Sequence, residues 1–162
     1  MSPARRLALE LLVASTVVVG AALLSQYVGK LVPCELCLYQ RWPWYATAAL
    51  MLVVLLAGGG RAAAPVAGLA GLILLAGAGL AFYHVGVEKG WFALPAACSG
   101  AGAADSVEAL KAQIMGRAPV RCDEVAWSLF GISMAGWNFI ASLLVAAWAI
   151  RGAARLRRSA WA

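Results

Sequence analysis

The sequence predicts an all-α membrane protein, a bundle of four transmembrane helices with two cysteine-bearing loops on one side of the bilayer. Three observations lead there. The 162 residues are 64% hydrophobic and only 12% charged, against roughly 45–50% apolar and 25% charged in an ordinary soluble domain. Four long apolar stretches lack the polar face that a helix on a soluble core would need. Basic residues are shared unequally between the segments that join them. The formal charge of +6 does not mark a nucleic-acid binder, because the basic residues form no stripe and accompany no nucleic-acid motif.

A helix needs about 20 residues to cross ~30 Å of hydrocarbon, and backbone groups in lipid must be bonded internally. The first span is read near 7–28. Arg5 and Arg6 precede it as they would a signal peptide, but the run is too long for a signal core. It ends in Tyr27-Val-Gly-Lys30 without a small-residue cleavage site, so it reads as a retained helix. A short loop with Cys34 and Cys37 follows. The second span is read near 43–60, opened by Pro43 in its first turn and by Trp42, Trp44 and Tyr45 at the membrane interface. The third is read near 65–87. It carries small residues four apart at Ala67 and Gly71 and at Gly77 and Ala81, a spacing that permits close packing but that an Ala-rich chain also produces by chance.

The second loop, about 88–124, is too polar to span. Asp105 and Glu108 read as an N-cap with an acid three residues on, and Gly116 with Pro119 as a stop. Val107, Leu110, Ile114 and Met115 would share one face of this short amphipathic helix, opposite Glu108, Lys111 and Gln113. That face would lie on the membrane surface or on the rest of the loop. The fourth span is read near 125–150, followed by Arg151, Arg155, Arg157 and Arg158.

These arginines set the expected orientation. One side collects them with Arg5, Arg6 and Arg61 against the single acid Glu10, whereas the other side balances six basic against six acidic residues. Basic segments stay in the cytoplasm. Both termini are therefore expected inside, and both cysteine loops outside.

All four cysteines, Cys34, Cys37, Cys98 and Cys122, then fall in one compartment. An even set of thiols in an oxidising compartment is expected to pair. Cys34 and Cys37 are near enough in sequence to bond to each other, which leaves Cys98 and Cys122. A Cys-x-x-Cys bridge closes too small a loop to add much stability, yet its spacing suits thiol tuning and exchange. Zinc held by four thiolates uses two close pairs, and the 24 residues from Cys98 to Cys122 argue against it, so no metal is expected.

Arg41 follows Cys37 by four residues, so on a helix its guanidinium shares a face with the sulfur. There it would favour thiolate and could hydrogen-bond a carbonyl oxygen gaining charge. An interface arginine snorkelling to head groups is the plainer alternative. His84, the only histidine, lies near the outer end of the third span, as a proton donor, a quinone neighbour or an interfacial ring with its bonds satisfied.

The segment Pro33-Cys-Glu-Leu-Cys-Leu-Tyr-Gln-Arg41 resembles the first periplasmic motif of the DsbB family of disulfide-bond formation proteins. Leu94-Pro-Ala-Ala-Cys98 resembles the family's second-loop cysteine. Arg121-Cys-Asp-Glu124, Trp127-Ser-Leu-Phe-Gly131 and Trp137-Asn138 are similar to its last cysteine and fourth helix. The resemblance implies a protein dithiol:quinone oxidoreductase in the bacterial inner membrane. It would reoxidise a periplasmic DsbA-like thioredoxin-fold partner and pass the electrons to ubiquinone or menaquinone. Carried over, Cys98 forms the mixed disulfide with the partner and Cys122 is its bridge partner. Cys34 and Cys37 are the quinone-linked pair, with Cys37 nearest the ring, Arg41 beside it and His84 close by. Such a partner's disulfide is a strong oxidant at about −120 mV, so only a terminal acceptor such as quinone keeps the chain running.

Other readings stay open at this level. A reductase of the vitamin K epoxide reductase type shares the plan, but carries its quinone-side pair in a late helix rather than after the first. A non-enzymatic scaffold stapled by disulfides, of tetraspanin type, would show a Cys-Cys-Gly cue that is absent. A dedicated paralogue serving one substrate has the same sequence features as the general enzyme.

Overall fold

The computed structural model describes residues 1–95, 98, 107, 111 and 120–159. The described residues are mostly helical. Helix α1 (Pro3–Tyr27) starts at Ser2, whose hydroxyl accepts the Arg5 backbone N–H, with Pro3 in the first turn where its missing N–H costs nothing. A single turn, α2 (Glu35–Tyr39), precedes α3 (Trp42–Leu56). Gln40 and Arg41 between them keep right-handed helical backbone angles. The interruption falls where Pro43 has no N–H to offer the carbonyl of Tyr39. Helix α4 (Ala63–Glu88) follows, then a two-residue-per-strand hairpin, β1 (Ser128–Leu129) and β2 (Ile132–Ser133), and the last helix, α5 (Met134–Ser159).

Among the described residues, three helices, α1, α4 and α5, are long and apolar enough to cross a membrane. The chain is a multi-pass membrane protein. Many large apolar side chains on these helices point outward, among them Val17, Leu24, Leu72 and Leu144, as they do when lipid is the solvent. With 15 residues, α3 is about 22 Å long at ~1.5 Å per residue, short of ~30 Å of hydrocarbon. It stops at Leu56 rather than near 60, because Gly58 and Gly59 take positive φ of 77° and 73° and turn the chain.

Helix α4 is the centre of the packing, against α5 on one side and α3 on another, while α1 packs mainly on α3. Its small residues make this possible. A Cβ on Gly71 would lie 2.6 Å from Ile150 Cγ1 of α5, and one on Gly77 would lie 2.9 Å from Pro43 of α3. The four-residue spacing is thus used for close approach, and not merely a product of composition.

The fourth apolar run differs from expectation. It is not helical from 125, since residues 128–133 form the hairpin and α5 begins at Met134. Phe130 and Gly131 have φ of 52° and 76°, the left-handed pair that a two-residue hairpin turn requires. Ser133 then caps α5 by accepting the Gly136 N–H. The expected amphipathic helix over 105–116 lies outside the described residues apart from Val107 and Lys111, which are both helical and exposed.

Candidate functional site

One end of the bundle gathers the chemistry-bearing residues. Cys34 ends an extended segment and caps α2, its sulfur accepting the Cys37 backbone N–H, so the Cys-x-x-Cys spacing puts both thiols on one turn. Their sulfurs are 3.1 Å apart and unbonded. Cys98 and Cys122 are bonded to each other, with Cα atoms 5.3 Å apart. Cys34, Cys98 and Cys122 share one buried cluster with Leu36 and Val87, against which Cys37 packs.

His84, on the last turns of α4, joins the two pairs. Its Nε2 is 3.6 Å from Cys34 Sγ and 3.2 Å from the backbone oxygen of Cys122. Its Nδ1 is 2.6 Å from Gln40 Nε2. Behind Gln40 stand Asn138 of α5, whose Nδ2 donates to Gln40 Oε1 at 2.7 Å, and Trp44 of α3, whose indole donates to Asn138 Oδ1 at 2.8 Å. Below His84, Glu88 has a side chain only 6% exposed. It accepts the Ser133 hydroxyl at 2.5 Å and comes within 4.0 Å of His84 Nε2.

The reduced pair is asymmetric. The Cys34 thiol is lowered from 9.0 to about 4, chiefly by the hydrogen bond with Cys37 and further by His84, against the opposing effect of burial. The same bond and burial push the Cys37 thiol up. One negative charge therefore settles on Cys34. This departs from the expectation that Arg41 favours thiolate at Cys37. Arg41 stands one turn beyond Cys37, but its guanidinium donates to Gln26 of α1 at 2.7 Å. The structure thus brings Cys34, Cys37, His84 and the Cys98–Cys122 bridge together, and directs Arg41 to a neighbouring helix.

A buried thiol and a half-buried one share one turn, the second bridge packs on them and a histidine touches both pairs, an arrangement whose chemistry is thiol–disulfide exchange. The family described as "Disulfide bond formation protein DsbB" matches residues 4–151. The chain belongs to the DsbB family. Its relatives include the Disulfide bond formation protein B of Aromatoleum aromaticum, 31% identical over 94% of both chains, and that of Methylobacillus flagellatus, 32% identical over 80% of both. No solved structure matches significantly.

Within this DsbB-family chain, Glu88, Gln40, Asn138, Trp44 and Ser133 escaped the sequence reading as site residues. Glu88 carried a signal, an acid four residues after the only histidine at the end of an apolar run. Gln40 and Asn138 are 98 positions apart, and nothing local announces their contact. The ligand atoms of Cys34, Cys37 and His84 all lie within 4.8 Å of one another, a spacing that could suit a soft cation. The hydrogen bonds on His84 bear on that possibility.

Proposed function

We propose that this protein is a dithiol:quinone oxidoreductase that reoxidises a periplasmic thioredoxin-fold protein and passes the electrons to membrane quinone. The observation that carries the reading is the packing of the reduced Cys34 and Cys37 against the Cys98–Cys122 bridge in one buried cluster. In this reading four spans cross the inner membrane, with α3 as the short fourth and both cysteine loops periplasmic.

A thiolate of the partner attacks Cys98, the Cys98–Cys122 bond breaks, and the partner's second thiol releases itself as a disulfide. The two reduced thiols then exchange with an oxidised Cys34–Cys37 bond. This restores the second bridge and leaves the first pair reduced, with its charge on Cys34 and a proton on Cys37. Closing the Cys34–Cys37 bond again releases two electrons and the one proton that Cys37 holds, the proton of Cys34 having already gone to the medium. A quinone held near Cys37 and Arg41 would supply the acceptor for the two electrons and that proton, with the second proton drawn from the medium, so the net change would be one partner disulfide per quinone reduced.

The donor set fits such a group. Cys37 offers a half-buried thiol, Arg41 a guanidinium one turn on, and Leu38 and Trp42 an exposed apolar surface beside them. The cavity lined by Cys34, Cys37, His84, Glu88 and Trp127 holds only about 30 Å³, against ~300 Å³ or more for an enclosing ligand pocket. The quinone is therefore expected at the lipid-facing surface near Cys37 and Arg41, not in that cavity.

A partner variant keeping only its nucleophilic cysteine tests the first step. Mixed with the oxidised full-length protein, it should form a stable mixed disulfide that peptide mapping assigns to Cys98. No adduct, or an adduct on Cys34 or Cys37, would contradict the assignment of the loops.

A further inference from the structure

We propose that Trp44, Asn138 and Gln40 form a positioning relay that fixes which ring nitrogen of His84 carries the proton, so that Nε2–H faces the sulfur of Cys34. Its role in the reaction rests on the dithiol-oxidation reading above. Its existence follows from donors and acceptors alone.

An indole N–H can only donate. The atom of Asn138 that meets Trp44 at 2.8 Å must therefore be Oδ1, which turns Nδ2 toward Gln40. An amide nitrogen again only donates, so the Gln40 atom 2.7 Å away is Oε1, and its Nε2 faces His84 at 2.6 Å. Nδ1 receives that hydrogen and must be bare. In a neutral imidazole the proton then sits on Nε2. There it meets the Cys122 carbonyl at 3.2 Å, which can only accept, and Cys34 Sγ at 3.6 Å. Turning either amide over would set donor against donor among residues that are 1% (Trp44), 5% (Gln40) and 2% (His84) exposed.

Two consequences follow. His84 acts on Cys34 as a hydrogen-bond donor that holds the thiolate, not as a base that collects its proton. The trio of Cys34, Cys37 and His84 is also closed to metal while the relay holds, because a ligating Nε2 would have to be bare. Among the described residues, the ionisable groups nearest the ring are Cys34, Cys37 and Glu88.

His84 is the only histidine, so the full-length reduced protein, made with isotope-labelled histidine and no histidine tag, gives one pair of ring-nitrogen NMR signals. The expected spectrum has bare Nδ1 and protonated Nε2. Gln40→Glu, which places an acceptor where the amide donated, should protonate Nδ1. Asn138→Leu, which frees Gln40 to rotate, should give both tautomers. Protonated Nδ1 in the wild type, bare Nδ1 in Gln40→Glu, or a single unchanged tautomer in Asn138→Leu would overturn the relay. If Gln40→Glu does not fold, the wild-type and Asn138→Leu spectra decide. The spectrum requires no turnover. Bare Nδ1 in a protein that exchanges no disulfides would keep the relay and remove the dithiol-oxidation reading; protonated Nδ1 in an active protein would do the reverse.

Discussion

The charge on Cys34 is the residue-scale feature with the most direct chemical consequence. A thiol lowered to about 4 is ionised throughout the neutral range, and that state is lost only as pH falls through about 4. Alkylation of reduced Cys34, followed site by site, should therefore level off well below the ordinary thiol range. His84→Leu removes one charge-assisted hydrogen bond, ~1.5–3 kcal/mol, and at ~1.4 kcal/mol per pH unit should move the midpoint up by about one to two units. An unmoved midpoint would leave the Cys37 contact as the sole cause. Which residues the structure gathers at one end was partly legible. The four cysteines, Arg41 and His84 stand out by type and spacing. Their partners do not, because Gln40 meets Asn138 only after α2 and α5 have packed, and because the Arg41 side chain turns to Gln26 for reasons that lie in α1.

At the scale of the elements, apolar length located the helices well and their ends poorly. The run from Val125 to Met134 is as apolar as a helix would be, and only the Phe130–Gly131 turn, whose left-handed backbone is a property of two residues, makes it a hairpin. The hairpin matters for the site, since Ser133 both caps α5 and bonds Glu88. The small residues of α4 show the opposite case, a weak signal that the packing uses. Gly71→Ala should destabilise the protein by ~1–3 kcal/mol, because its Cβ would press on the β-branched Ile150 and on the Ala146 carbonyl. Gly79→Ala, with nothing within 4 Å, should cost nothing and gain helix propensity. Thermal unfolding of both variants in detergent checks the difference. Equal stabilities would mean that α4 and α5 do not approach closely at Gly71.

For the whole molecule, the proposed relay makes one disulfide for each quinone reduced. Both cysteine pairs and His84 lie at one end of the described bundle, and Arg41 follows Cys37 by one helical turn. The measurement that tests this most directly is quinone reduction by a reduced thioredoxin-fold dithiol protein, with the purified full-length chain as catalyst. Wild type should form hydroquinone and partner disulfide in equal amounts. Cys98→Ser and Cys37→Ser should form neither, and Arg41→Ala should slow quinone reduction about tenfold to a hundredfold, the equivalent of ~1.5–3 kcal/mol. Partner oxidation without matching hydroquinone, or quinone reduction that survives Cys37→Ser, would contradict the account.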